Sequence, residues 1–173
     1  MPATLVGASW DEAFRTFTRS AWRLEAQGVY REPYERQPLI DFLAGQDPDL
    51  SFMDEWIADV HADVAAGKTY GRVRVLTEPL TDYLRFELSF TQLNIDAGEE
   101  VRVLPMRRFT ELEVPQVDFW LFDDARAAVM HLDENGFAYA DLVTDEPEIT
   151  RFREIREVAW QNAIPFSEYL SNR

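Results

Sequence analysis

The stretch from Tyr70 to Leu104 constrains the fold more than any other part of the chain. Arg72, Val73, Arg74, Val75 and Leu76 alternate polar and apolar residues, as a half-buried strand does. From Pro79 to about Leu93, Leu80, Leu84 and Leu88 recur four apart, a helical spacing, with proline at the start where its missing N–H is tolerated. Val101, Arg102, Val103 and Leu104 then form a second strand. Strand, helix and strand in this order predict a β-α-β unit, with two parallel strands in one sheet and the helix on its face.

The flanking segments extend this unit into a mixed sheet. Ser9-Trp10-Asp11-Glu12 fits a capping box, and Phe14, Phe17, Ala21 and Leu24 follow at helical spacing, so a first helix is expected from about residue 10. Trp22, Leu24 and Ala26 also alternate with Arg23, Glu25 and Gln27, which hands the helix over to a strand before Gly28. Two shorter helices end before Gly45 and Gly67. The second, with Met53, Trp56, Ile57, Val60 and Val64, is the clearest amphipathic helix in the chain.

Beyond a loop bounded by Pro105 and Pro115, Phe119 to Phe122 and Ala127 to Leu132 read as strands joined at Asp123-Asp124. Asn135-Gly136 predicts a type I′ hairpin turn into Phe137, Tyr139 and Leu142. Ile149, Phe152, Ile155 or Arg156, and Ala159 mark a C-terminal helix ending before Pro165. The expectation is a single α/β domain over 1–173, with an ordered core of about 9–170. Its central mixed sheet carries the β-α-β unit followed by antiparallel hairpins, with terminal helices packed on it.

The 173 residues contain no cysteine, which excludes disulfides, thiolate nucleophiles and Cys-based zinc sites, so the fold stands on packing alone. Met1 to Gly7 has no basic leader and no apolar run approaches the ~18 residues of a membrane span, so a cytoplasmic protein is expected. Acid predominates: 32 Asp and Glu face 17 Lys and Arg, a formal charge of −15. Such a surface repels phosphate backbones and anionic lipid, disfavouring direct nucleic-acid or membrane binding, while it steers basic partners inward. The acidity is uneven. Residues 1–67 carry −7 and 109–173 carry −9, whereas 68–108 carry +1.

Recognised catalytic patterns are missing. The two histidines, His61 and His131, are isolated, and neither a Gly-x-Ser-x-Gly elbow nor a glycine-rich phosphate loop occurs among seven glycines. No metal or nucleotide cofactor is implied, and the acid pairs near Asp123 and Asp133 read as turn chemistry. Asp118, Asp123, Asp124 and Glu87 are carboxylates that would do acid–base work only if a cleft gathered them.

Two binding constellations remain. Arg72, Arg74 and Arg102, on adjacent strands, would form a bidentate anion site near Tyr83 and Trp120 if they share a face; otherwise they pair with neighbouring carboxylates. Asp54, Glu55, Asp59 and Asp63 line one side of the amphipathic helix, either as a solvated face or as a docking patch for a basic protein. The acid flanks place a non-catalytic interaction or regulatory module first. A small-molecule sensor or enzyme holding an anionic ligand at the arginines comes second.

The segments Arg19-Ser20-Ala21-Trp22-Arg23-Leu24-Glu25, Glu78-Pro79-Leu80-Thr81-Asp82-Tyr83-Leu84-Arg85, Gly98-Glu99-Glu100-Val101-Arg102-Val103-Leu104-Pro105 and Asp118-Phe119-Trp120-Leu121-Phe122-Asp123-Asp124 together resemble an actinobacterial domain family of unknown function. The likeness runs from about residue 10 to Tyr169. Its members are small acidic proteins often encoded near helix-turn-helix regulators, so the resemblance implies a regulatory or toxin–antitoxin-like association with a DNA-binding protein. It implies no catalytic residues. The run Glu100 to Asp124 also resembles half of a phospholipase D-like fold, but the His-x-Lys of that fold is absent, because His131 is followed by Leu132 and Asp133.

Overall fold

The computed structural model describes residues 2–173. Its strands are β1 Ala3–Leu5, β2 Ser20–Glu25, β3 Thr69–Leu76, β4 Glu100–Pro105, β5 Asp118–Phe122, β6 Arg126–Asp133, β7 Gly136–Val143 and β8 Ile164–Pro165. Its helices are α1 Ala8–Thr16, α2 Arg36–Leu43, α3 Asp54–Ala65, α4 Asp82–Ala97, α5 Met106–Glu111, α6 Glu146–Asn162 and α7 Phe166–Ser171, with 3-10 turns at Pro33–Glu35 and Ser51–Met53. All the strands join one mixed sheet in the order β1-β7-β6-β5-β2-β3-β4-β8, in a single α/β domain.

The anticipated β-α-β unit is β3-α4-β4, with Arg72 beside Val101 and Arg74 beside Val103 in parallel register. A second parallel crossover, which the periodicity left unread, carries β2 through α2 and α3 to β3. The remaining pairings are antiparallel, including the β5-β6-β7 meander.

Strand parity sorts the core. Trp22, Leu24, Val73, Val75, Leu104, Phe119 and Leu121 face α6, which contributes Ile149, Phe152, Ile155 and Ala159. On the opposite face, Ala21, Tyr70, Trp120, Phe122 and Ala128 pack with Ala13 and Phe17 from the α1 region and Val60 of α3. Next to them Leu76, Val101 and Val103 meet Leu84 and Leu88 of α4 and Phe166 of α7. Burying both faces of a mostly apolar sheet supplies the stability that disulfides supply in other small proteins.

Several local expectations are corrected. α1 begins one residue before Ser9, with Gly7 at its N-cap; the Ser9 hydroxyl accepts from the Val6 N–H and donates to the Val6 carbonyl, both at 2.9 Å, so it tethers the incoming chain instead of capping. β1 and α7 lie where no regular element was anticipated, and α5 lies in the stretch between Pro105 and Pro115 read as a loop. Such short elements are held by neighbours rather than by their own periodicity. At the β6-β7 turn only Gly136 has positive φ, at 97°, and Asn135 does not, so the turn is not the mirror-image type I′. The register shift between His131 and Leu132 accommodates the difference.

α4 is delimited by its own chemistry. The Thr81 hydroxyl accepts from the Leu84 N–H at 3.1 Å at the start, and Gly98 ends the helix at φ 113°. A Cβ at Gly98 would stand 2.9 Å from Val64 Cγ1, so the glycine also lets α3 pass close by. Gly98→Ala is expected to lower stability by roughly 1–3 kcal/mol in urea denaturation, more than a strain-free Gly→Ala change, which stabilises.

Candidate functional site

The face of the sheet that meets α1, α3 and α4 leaves a cleft of about 1150 Å³. Parity builds its floor. Along β2, Ala21, Arg23 and Glu25 alternate with Trp22 and Leu24; along β3, Tyr70, Arg72 and Arg74 alternate with Gly71, Val73 and Val75. In the parallel register Arg23 lies beside Arg72 and Glu25 beside Arg74, while antiparallel β5 sets Trp120 against Arg23. A charged lattice therefore forms on a sheet surface that helices cover.

Each floor arginine is satisfied by carboxylates. Arg23 donates to Asp118 at 3.0 Å. Arg72 bridges Glu25 at 2.5 Å and Glu99 at 2.6 Å, and Arg74 reaches Glu25 at 2.6 Å and Glu87 at 3.3 Å. Neutral groups complete the lattice: Thr91 accepts from Arg74 at 2.7 Å, and Asn94 donates to Glu99 at 2.9 Å. Asp118 also accepts from the Tyr30 hydroxyl at 2.5 Å and the Ala26 N–H at 3.1 Å. Arg72 lies 5.5 Å from the ring centre of Trp120, adding cation–π attraction.

These contacts tune the charges. Burial opposes ionisation of Glu25, but Arg74, Arg72 and Arg23 outweigh it and hold its carboxyl well below the usual range. Burial likewise disfavours charge on Arg72 and Arg74, yet Glu99, Glu25 and Glu87 push both guanidinium pKa values upward. For Asp118 burial prevails over Arg23, and the value rises.

At the end of the cleft under the 3-10 turn Pro33–Glu35, the Tyr83 oxygen lies 2.7 Å from Glu35 and 2.8 Å from Glu87. One hydroxyl proton cannot serve two carboxylates. Burial, then the charge of Glu87, pushes Glu35 up to about 9. A protonated Glu35 can donate to Tyr83, which in turn donates to Glu87, itself held by Arg74. Tyr83 is raised well above its ordinary value by burial and then by Glu87 and Glu35.

Of the ligand residues anticipated from sequence, Arg72, Arg74, Tyr83 and Trp120 all line this cleft, but Arg102 does not. Arg102 is paired in register with Val73 and so projects from the other face, 3.9 Å from the ring centre of Trp160, donating to the Trp160 carbonyl at 3.0 Å. Adjacent parallel strands share a face only between residues in matching register, and Arg102 is one out from Arg72 and Arg74. The supposed arginine triad is two arginines, each already bound to carboxylates.

The acidic stripe of α3 also divides. Asp54 stays outside, whereas Glu55, Asp59 and Asp63, four residues apart, turn along the cleft wall. Asp63 is engaged there, accepting from the Tyr70 hydroxyl at 2.5 Å and pairing with Lys68 at 3.3 Å. Of the four carboxylates considered for acid–base work, Glu87 and Asp118 enter the buried lattice. Asp123 instead accepts from the backbone N–H groups of Thr18, Arg19 and Ser20, and Asp124 pairs with Arg156. His131 pairs with Asp141 at 2.8 Å and stacks on Tyr139, and is not among the residues that line the cleft. Among the described residues no three His, Asp or Glu side chains are placed to hold a metal ion.

Sequence reasoning passed over Arg23, Glu25, Glu35 and Glu99. The signal for the first two was present in the alternation of β2, whose polar positions coincide with those of β3. Glu35 and Glu99 lie at an irregular turn and a helix end, where no periodicity reports burial.

The fold and site together define a single-domain α/β protein with an aromatic cleft above a buried ionic lattice. The chain belongs to the family described as Domain of unknown function (DUF6879), which it matches over residues 8–171. No functionally curated protein matches it.

Two outcomes follow for stability. Arg72→Met, which strands Glu99 and part of Glu25 in the interior, is expected to cost about 3–5 kcal/mol in urea denaturation, and adding Glu99→Gln should recover part of the loss. Glu35 behaves in the opposite sense to Glu25. Its folded value lies above the ordinary 4.5, so its contribution is full below that pH and is lost as pH rises towards about 9. Glu35→Gln should therefore hold its melting temperature better than the wild type between pH 5 and 9. The difference should grow by at most ~1.4 kcal/mol per pH unit, the limit for one proton.

Proposed function

We propose that this protein is a non-catalytic binding module, acting in the cytoplasm, whose cleft and acidic rim receive a basic protein partner. The observation that carries this reading is the charge of the cleft: four arginines and eight carboxylates line it, and the three arginines of its floor are paired internally. What faces an incoming group is therefore acid, with Glu55 and Asp59 on α3, Asp11 on α1 and Glu32 in the loop before Pro33. Complementary charge of this kind accelerates encounter and selects against acidic competitors.

A helix-turn-helix regulator is the partner class that fits best, being basic where it meets DNA. The resemblance to small acidic actinobacterial proteins encoded beside such regulators points the same way, towards a regulatory or toxin–antitoxin-like pairing. In that role the acidic face would compete with phosphate for the regulator's basic surface. An anionic ligand is not favoured, because it would have to displace Glu25, Glu87 and Glu99 from Arg72 and Arg74.

Fluorescence anisotropy with an arginine-rich peptide, and with a co-expressed neighbouring regulator, tests the proposal. Affinity should fall at least tenfold between 50 and 300 mM salt, and the double variant Glu55→Gln, Asp59→Asn should weaken binding several-fold with its melting temperature unchanged. Asp63 is left intact because it holds Tyr70. Salt-independent binding, or equal affinity of the double variant, would sink the electrostatic account.

A further inference from the structure

The ionic lattice does not balance. Buried beneath the cleft are three arginines, Arg23, Arg72 and Arg74, and five carboxylates, Glu35, Glu87, Glu99 and Asp118 with the nearly buried Glu25. Glu35 is the member left over: it is 8% exposed, lines the cleft, and has no cationic partner among the described residues. A buried carboxyl without a cation is costly when ionised, so in the free protein it keeps its proton.

We propose that Glu35, together with Glu87 and Tyr83, is the receiving site for a guanidinium group, and that its entry expels one proton to solvent. The proposal deepens the reading above, since an arginine side chain of the basic partner is the natural occupant, but a free guanidinium compound suffices to test it. The balance is simple. A cation enters and the Glu35 proton leaves to buffer, so the net charge of the interior is unchanged and the Glu35 carboxylate acquires the cationic partner it lacks.

Geometry favours guanidinium over ammonium. Two carboxylates presented around one phenol oxygen, at 2.7 and 2.8 Å, suit a planar fork with several donors. Tyr30 stands with its ring centre 5.6 Å from that of Tyr83, so aromatic surface adjoins the carboxylates. Elsewhere on the same floor the protein already holds a guanidinium in this way: Arg72 lies between Glu25 and Glu99 near the ring of Trp120. An ammonium, more strongly hydrated and without a flat face, would give up more and gain less.

The groups facing Glu35 agree with proton loss only on cation entry. Glu87 and Tyr83 face it from α4, Glu32 and Tyr34 belong to its own segment, and Glu25, Arg74 and Arg23 reach the cluster from the sheet. The positive charges among them are already engaged, Arg74 by Glu25 and Glu87 and Arg23 by Asp118.

Isothermal titration of the full chain at pH 7.5 with agmatine, in Tris and in HEPES, reads both binding and proton release. Agmatine should bind with release of close to one proton, and putrescine, its ammonium counterpart, at least fivefold more weakly. Glu35→Gln should abolish the proton release and weaken agmatine at least tenfold, with an unchanged or higher melting temperature confirming that it folds. The inference is overturned if agmatine does not bind at millimolar concentration, if no proton is released, if putrescine binds equally well, or if the variant behaves as wild type. Salt-sensitive binding of the arginine-rich peptide alongside a null result with agmatine would leave the acidic docking face standing and remove this site alone.

Discussion

The structure depends on one arrangement, the charged lattice that Arg23, Arg72 and Arg74 make with Glu25, Glu87, Glu99 and Asp118. These groups lie on a sheet surface covered by helices, where an unpaired charge would cost several kcal/mol. Their pairing fixes how neighbouring elements sit. Glu25 joins β2 to β3, Glu87 joins β3 to α4, and Glu99 ties the end of α4 back to β3. A lattice of this kind adds little net stability over an apolar core, but it penalises any other packing of those elements. Apolar burial on both faces of the sheet, against α6 on one and against α1, α3, α4 and α7 on the other, drives the fold.

The same lattice decides what the cleft can bind. Because every floor arginine is already engaged with carboxylates, a surface that looks arginine-bearing in sequence offers no free guanidinium on the cleft floor, which is what favours the cationic occupant proposed above. Glu32 shows how closely the rim is organised. Its carboxylate accepts from the Phe137 N–H at 2.9 Å and lies where a side chain at Gly136 would be, joining the β6-β7 hairpin to the loop that leads into Glu35. Burial raises the Glu32 pKa as it does that of Glu35, so both acid groups of this edge resist ionisation more than exposed ones do.

Much of the architecture was legible because it rests on local rules. The β3-α4-β4 crossover follows from two alternating runs around a four-residue leucine spacing, and the β5-β6-β7 meander from short apolar runs with turn residues between them. The parallel pairing of β2 with β3 was not legible, since nothing local to Ser20–Glu25 specifies which strand it will lie beside. β1 and β8 are too short for any period to register. The Asn135-Gly136 turn misled for a related reason: the dipeptide suits a type I′ turn, but only Gly136 takes positive φ and the strand pairing shifts register between His131 and Leu132.

By itself the sequence determined the α/β class, the uneven acidity and the placing of Arg72 and Arg74 on one face of their strand, because alternation and spacing are properties of a single segment. Only the tertiary structure decided that Arg102 faces the other way, that Glu25 and Glu99 neutralise the arginines, and that Glu35 is left without a cation. Those outcomes depend on the register between strands and on which helix covers which face. Such relations link residues dozens of positions apart, and no local pattern in the chain records them.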